Sequence, residues 1–372
     1  MPQRIVILTQ GKSNPSDAKT ASGVIRYRPS DVVALLDSTM AGKTSVDVFG
    51  TGGNIPFIGR LGEVEADTLL IGIAPAGGGL PVEWRPILRE AIERGMNLVS
   101  GLHYFLSEDR EIASLAREKG VMITDVRKPP ADATVSENVA KDLACFRVHT
   151  VGHDCNVGKM LTSIEVAAGL KSRGCNAEFV ATGQTGIMIS GWGVPIDRVI
   201  SDFAAGAIEK VILDHKNAEF LLIEGQGSLV HPLYSGVTLA LLHGAAPQAL
   251  MMCYESGRTE IRHANGAPMP PLGEIIKIYE TLANLICPCK VIGISANTRF
   301  LSQKDAERDV KRTEDRYGLP TTDVVRFGAH KLVDAVIKAQ AAFARRASKP
   351  KAEAAGSKRR PPARRAVKDS KR

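Results

Sequence analysis

One stretch of the chain has the residue types and spacing to hold a phosphate: residues 148–162, V-H-T-V-G-H-D-C-N-V-G-K-M-L-T. The run Arg147 to Val151 predicts a strand, the glycine-bounded residues up to Gly158 a loop, and Met160 to Leu170 a helix. In that order the backbone N–H groups of Gly152, His153, Asp154, Cys155, Asn156, Val157 and Gly158 can turn inward around an anion. The helix behind them adds its positive end. Lys159 would reach the bound group as a mobile point charge.

The loop departs from the standard pattern in two places. Gly152 and Gly158 enclose five residues rather than the usual four, and Met160 stands where a magnesium-binding Ser or Thr is expected. Thr162 lies about 200° further round the helix and is a poor replacement. The five-residue spacing resembles the loop of dethiobiotin synthetase. Without the hydroxyl ligand, the loop is better suited to holding a diphosphate than to metal-assisted phosphoryl transfer.

Carboxylates beside such a loop can hold a metal or accept a proton. In an open α/β sheet the ligand sits beyond the carboxyl ends of the strands. There the sequence places Gln184-Thr185, Asp197, Asp202, Glu224, His231 and, after a strand ending at Ser295, Asn297-Thr298-Arg299. Glu224 is the sharpest of these, since it follows the four apolar residues Phe220 to Ile223 directly.

The elements that must position these residues alternate. Strands are expected at Arg4–Leu8, Asp31–Asp37, Thr68–Ala74, Asn97–Ser100 and Val121–Val126, with helices at Glu83–Arg94 and Glu108–Lys119 and a polar, loop-like Thr9–Arg28. A second series has strands at Ala177–Ala181, Phe220–Ile223, Leu250–Tyr254, Lys290–Ser295 and Asp323–Phe327. Helices follow Pro195 and span Pro271–Ile286 and Lys331–Phe343. The fold class is α/β: a Rossmann-like parallel-sheet domain over 1–130, a linker over 131–146 and a P-loop α/β domain over 147–343. Phe49-Gly-Thr-Gly-Gly-Asn54 lacks the third glycine of a dinucleotide fingerprint, and Pro56 interrupts the helix that should follow, so it reads as a tight loop.

With 372 residues the chain can bury two cores. From Arg345 to Arg372 there are twelve Lys/Arg against Glu353 and Asp369, a charge of +10, so the rest of the +8 chain carries −2. Residues 344–372 therefore read as a basic, disordered tail able to touch nucleic acid or anionic surfaces through plain electrostatics. Six cysteines without a paired framework, and no membrane-spanning segment, point to a cytoplasmic location. Cys287-Pro-Cys289 is too closely spaced for a zinc half-site.

Several motifs together resemble one family: the loop G-H-D-C-N-V-G-K-M, I-R-Y-R-P at 25–29, I-A-P-A-G-G-G-L-P at 73–81, S-G-L-H at 100–103, E-G-Q-G-S-L-V-H-P at 224–232 and I-S-A-N-T at 294–298. The family was long labelled a P-loop domain of unknown function, or misnamed an NAD-dependent epimerase/dehydratase, and its members are described as D-glutamate N-acetyltransferases. The resemblance covers about residues 4–338. It implies acetyl transfer from acetyl-CoA to the amino group of a D-amino acid, with the loop 152–160 and Asn297 on the CoA side. Glu224, Asp202 and His231 are then the base candidates. Arg26, Arg28, Arg258, Arg262 and Asp197 are candidates for holding a small dicarboxylic amino acid. A homo-oligomer is expected. The alternative is a ligase or kinase of the dethiobiotin synthetase type, using ATP with Mg.

Overall fold

A computed structural model of the chain describes residues 3–14, 17–73, 75 and 77–347. Among them the strands form two six-stranded parallel sheets. The first contains β1 (Ile5–Leu8), β2 (Val32–Leu36), β3 (Phe57–Ile58), β4 (Thr68–Ile71), β5 (Asn97–Ser100) and β6 (Ile123–Asp125) in the order β3-β2-β1-β4-β5-β6. This is the Rossmann order, with its switch point between β1 and β4. The second contains β7 (Phe146–Gly152), β8 (Ala177–Val180), β9 (Phe220–Ile223), β10 (Ala249–Glu255), β11 (Lys290–Asn297) and β12 (Thr321–Thr322), ordered β12-β11-β10-β7-β9-β8. The continuous apolar runs IVIL, VVALL, TLLI and FLLI suit this arrangement, because helices cover both faces of a parallel sheet.

The helices are α1 (Lys19–Tyr27), α2 (Ser45–Phe49), α3 (Arg85–Glu93), α4 (Arg110–Lys119), α5 (Lys159–Ser172), α6 (Gln184–Ser190), α7 (Ser201–Asp214), α8 (Ser235–Ala245), α9 (Leu272–Ala283), α10 (Gln303–Tyr317) and α11 (His330–Ala347). α4 shows why such segments start and stop where they do. Asp109 accepts from the N–H groups of Glu111 and Ile112, and Gly120 takes the left-handed conformation at the other end.

Three expectations need correction. Thr9–Arg28 is not all loop: α1 occupies its second half and buries Thr20, Ala21, Gly23, Val24 and Ile25. Asp323–Phe327 is not a strand. The pairing is made by Thr321 and Thr322, and Asp323 then folds a turn by accepting from the N–H groups of Val325 and Arg326. Pro195 opens a 3-10 turn at Ile196–Arg198 rather than α7, so Asp197 and Asp202 stand on different elements. The expected tail begins within α11, which runs to Ala347, and the rest of it lies outside the described residues.

The two sheets are joined by side chains as well as by the linker. Thr20 Oγ1 and Thr185 Oγ1 are 2.9 Å apart, so α1 lies on α6. Tyr27 Oη donates to Glu165 at 2.8 Å. A methyl added at Gly23 would sit 2.7 Å from Thr185 Cγ2, which is why this helix position carries no side chain. The linker is held to α7 at two places: buried Glu209 accepts from the N–H groups of Glu137, Val139 and Ala140 and from Ser136 Oγ, and Lys210 pairs with Asp132.

Candidate functional site

β7 lies between β9 and β10, and the chain leaves its carboxyl end at Gly152 to form the phosphate loop. Asn156 and Gly158 take positive φ, and α5 starts at Lys159, so the loop turns tightly onto the helix N-terminus. Lys159 is buried, and its Nζ donates to the Asp154 carbonyl at 2.7 Å. Burial pushes its pKa down. The alkyl stem of Lys159 crosses Gly225, where any added methyl would collide with the Thr150 carbonyl and crowd Lys159 Cδ. Glycine is required there so that the end of β9 can pass beneath the lysine.

Asp154 braces the loop from below. Its Oδ2 accepts from Arg258 Nη1 at 2.8 Å and from the Arg262 N–H at 2.9 Å, and its Oδ1 accepts from the Cys155 N–H at 2.6 Å. Burial raises its proton affinity, but the donors from Arg262, Arg258 and Cys155 outweigh it and hold the carboxyl below its ordinary value. Buried His153 accepts from the Glu255 N–H at 3.0 Å. Burial, then Arg258, push its pKa down to about 3, so it is neutral. Burial pushes the Cys155 thiol up. Val157 is buried at the loop base.

Glu224 follows β9, next to this loop, and is 7% exposed. Its Oε2 accepts from the N–H groups of Thr182 at 2.9 Å and Gly183 at 3.2 Å. Burial lifts its pKa to about 7, against those two donors and Lys159, while Asp197 adds to the rise. Its charge state therefore changes near neutrality.

The other expected residues are distributed unevenly. His231 is buried, its Nδ1 accepts from the Leu233 N–H at 3.2 Å, and its Nε2 donates to the Arg262 carbonyl at 2.8 Å. Both of its ring nitrogens are therefore engaged by backbone groups. Asp202 is exposed in the first turn of α7, without a partner among the described residues. Arg28 has all three guanidinium nitrogens engaged, by Asp31, the Met188 carbonyl and Gln3, at the seam between the sheets. Arg26 is half-buried on α1. Arg258 spends its donors on Glu255, Asp154 and the Cys155 carbonyl. Asp197 pairs with Arg127.

At the mouth of the loop a cavity of about 870 Å³ is lined by Lys19, Arg258, Arg262, Arg299, Glu255 and Phe300 among others. Lys19 donates to Asn156 Oδ1 at 2.8 Å, which ties α1 to the phosphate loop. Burial, then Arg262 and Arg299, push its pKa down. Cations that crowd one another in this way make a site for an anion. Asn297 ends β11, its Oδ1 accepting from the N–H of Arg299, but does not itself line this cavity. The sequence reading missed Lys19, for which the one available signal was its place at the start of an unrecognised helix.

Met160 offers no hydroxyl. It packs among apolar residues, with its methyl near Gly23 of α1. Thr162 Oγ1 is already engaged by the Gly158 carbonyl and Ser295. Ligand atoms of Asp154, Cys155 and His231 lie within 4.8 Å of one another. The hydrogen on His231 Nε2 and the three donors on Asp154 leave that group poorly suited to a metal.

The fold and site define an α/β enzyme with a phosphate loop at the carboxyl edge of its second sheet. Residues 38–129 match the family described as DUF1611_N, a Rossmann-like domain, and residues 134–333 match DUF1611_C, a P-loop domain, both of unknown function by that description. A D-glutamate N-acetyltransferase of Tritonibacter scottomollicae is 40% identical over 324 residues, 86% of this chain and 94% of that protein. Another from Pseudoalteromonas sp. is 39% identical over 284 residues, 76% of this chain and 85% of that protein. The crystal structure of a DUF1611 family protein from Anabaena variabilis matches with a TM-score of 0.86 at 40% identity, covering 90% of this chain and 99% of the other. The chain belongs to the DUF1611 family and, with these relatives, is an acyltransferase. No helix among the described residues is long and apolar enough to cross a membrane.

Proposed function

We propose that this chain transfers an acetyl group from acetyl-CoA to the amino group of D-glutamate. The observation that carries the reading is a buried carboxyl, Glu224, whose pKa is about 7, beside a phosphate loop with no hydroxyl ligand after its lysine. The relatives' names supply the acceptor. The cationic cavity fits the phosphates of CoA, with Lys159 and the loop N–H groups on the diphosphate. Glu224 takes one proton from the substrate ammonium. The amine nitrogen then attacks the acetyl carbonyl, the C–N bond forms and the C–S bond breaks. The second nitrogen proton ends on the departing thiolate, releasing free CoA.

The test is direct. Purified protein, acetyl-CoA and D-glutamate should yield N-acetyl-D-glutamate by mass spectrometry and free thiol in equal amounts, with chelator present and ATP absent. Turnover that requires magnesium and consumes ATP would move the assignment to the ligase reading.

A further inference from the structure

A second cluster, apart from the phosphate loop, lies where the carboxyl ends of the two sheets meet. His103 follows β5 and Arg127 follows β6, while Asp197 stands on the 3-10 turn before α7. Arg127 Nη1 donates to Asp197 Oδ2 at 2.7 Å and also contacts His103 Nε2, which lies 3.7 Å from the same carboxylate oxygen. Burial, then Arg127, push the His103 pKa down, so a neutral imidazole accepts from the guanidinium. Arg198 adds a second cation at the rim, 5.0 Å over the Phe105 ring.

Arg127 is 8% exposed, yet its Nε has no partner among the described residues. A buried, unpaired donor on a charged group is costly, and native structures usually fill such a position. Asp197 and His103 both take Nη1. This leaves over the Nε–Nη2 edge, which offers two parallel N–H bonds and matches a carboxylate. The cluster also lies near the base: Asp197 is close enough to Glu224 to raise its proton affinity. A methyl placed at Gly101, two residues before His103, would lie 2.8 Å from Gln184 Cγ.

We propose that Arg127, oriented by His103 and Asp197, grips a carboxylate of the acceptor amino acid across this seam. The proposal rests on the acetyl-transfer reading and names where the acidic acceptor is recognised. It moves that role from Arg26, Arg28, Arg258 and Arg262 to a residue at the end of the first sheet.

The experiment compares D-glutamate with its two monoamides, D-glutamine and D-isoglutamine, in the wild-type enzyme, Arg127→Gln and Arg127→Lys. Loss of a two-pronged, charge-assisted contact should raise KM for D-glutamate about 10–100-fold. KM for acetyl-CoA should stay within about threefold, and the preference over one monoamide should collapse, identifying the carboxylate held. Arg127→Lys keeps the charge at the seam without the fork and should show the same collapse, even if Arg127→Gln fails to fold. Unchanged KM for D-glutamate with both preferences intact would overturn the assignment. A parallel rise in both KM values would also overturn it, since that reports a damaged seam. Wild-type protein inactive on D-glutamate would instead remove the functional reading, and this inference with it.

Discussion

Glu224→Gln should move stability and activity in opposite directions. In the folded chain its carboxyl titrates near 7 instead of the ordinary 4.5. Between those values the native state binds more protons than the unfolded chain, so the wild-type protein loses stability as pH rises from about 4.5 through 7. The gap corresponds to about 3 kcal/mol for a fully buried group. The glutamine keeps the acceptor for the Thr182 and Gly183 N–H groups but has no charge to bury. Its stability should therefore lack this decline, and denaturant titrations should show it gaining on wild type by up to about 3 kcal/mol between pH 4 and pH 8. Over the same range wild-type kcat/KM should rise with pH through about 7 as the base ionises, while the variant loses about 10²–10⁴ in kcat. A stability difference that does not change with pH would refute the perturbed carboxyl. Near-wild-type turnover would refute its role as base.

Lys159→Ala removes the buried cation that the loop folds around. Calorimetric titration of the folded variant with CoA should show binding weakened about 10–100-fold. Glu209→Ala strips the linker of an acceptor for three backbone N–H groups and one hydroxyl. Urea unfolding should report a loss of about 3 kcal/mol, with KM for acetyl-CoA unaltered. A chain ending at Ala347 should keep its steady-state constants, because α11 completes the described fold and the sequence beyond it is basic and lacks apolar periodicity. A large fall in kcat on that truncation would place part of the site in the tail.

The sheets were legible in the sequence because a parallel strand is covered on both faces and must be apolar throughout. FLLI at 220–223 can hardly be anything else, and a carboxylate placed directly after it has to emerge at the sheet edge. The phosphate loop was legible because glycine and lysine spacing reflects local backbone geometry. α1 was not legible. It is amphipathic, but its buried face includes Thr20 and Gly23, polar and small residues that do not read as core, and their partner Thr185 lies 165 positions from Thr20 in the chain. Asp323–Phe327 misled for the converse reason: Val324 and Val325 read as strand, but the Asp323 carboxylate also accepts from the distant Thr298 N–H and pulls the chain into a turn. In the sequence, His231 is a candidate base and Arg28 and Arg258 are candidate substrate ligands. In the folded chain, tertiary contacts with the protein's own groups engage the side-chain nitrogens of all three. The same contacts brought Lys19 to the phosphate loop and left one edge of Arg127 unfilled at the seam, because sequence lists donors and acceptors but only the folded chain pairs them.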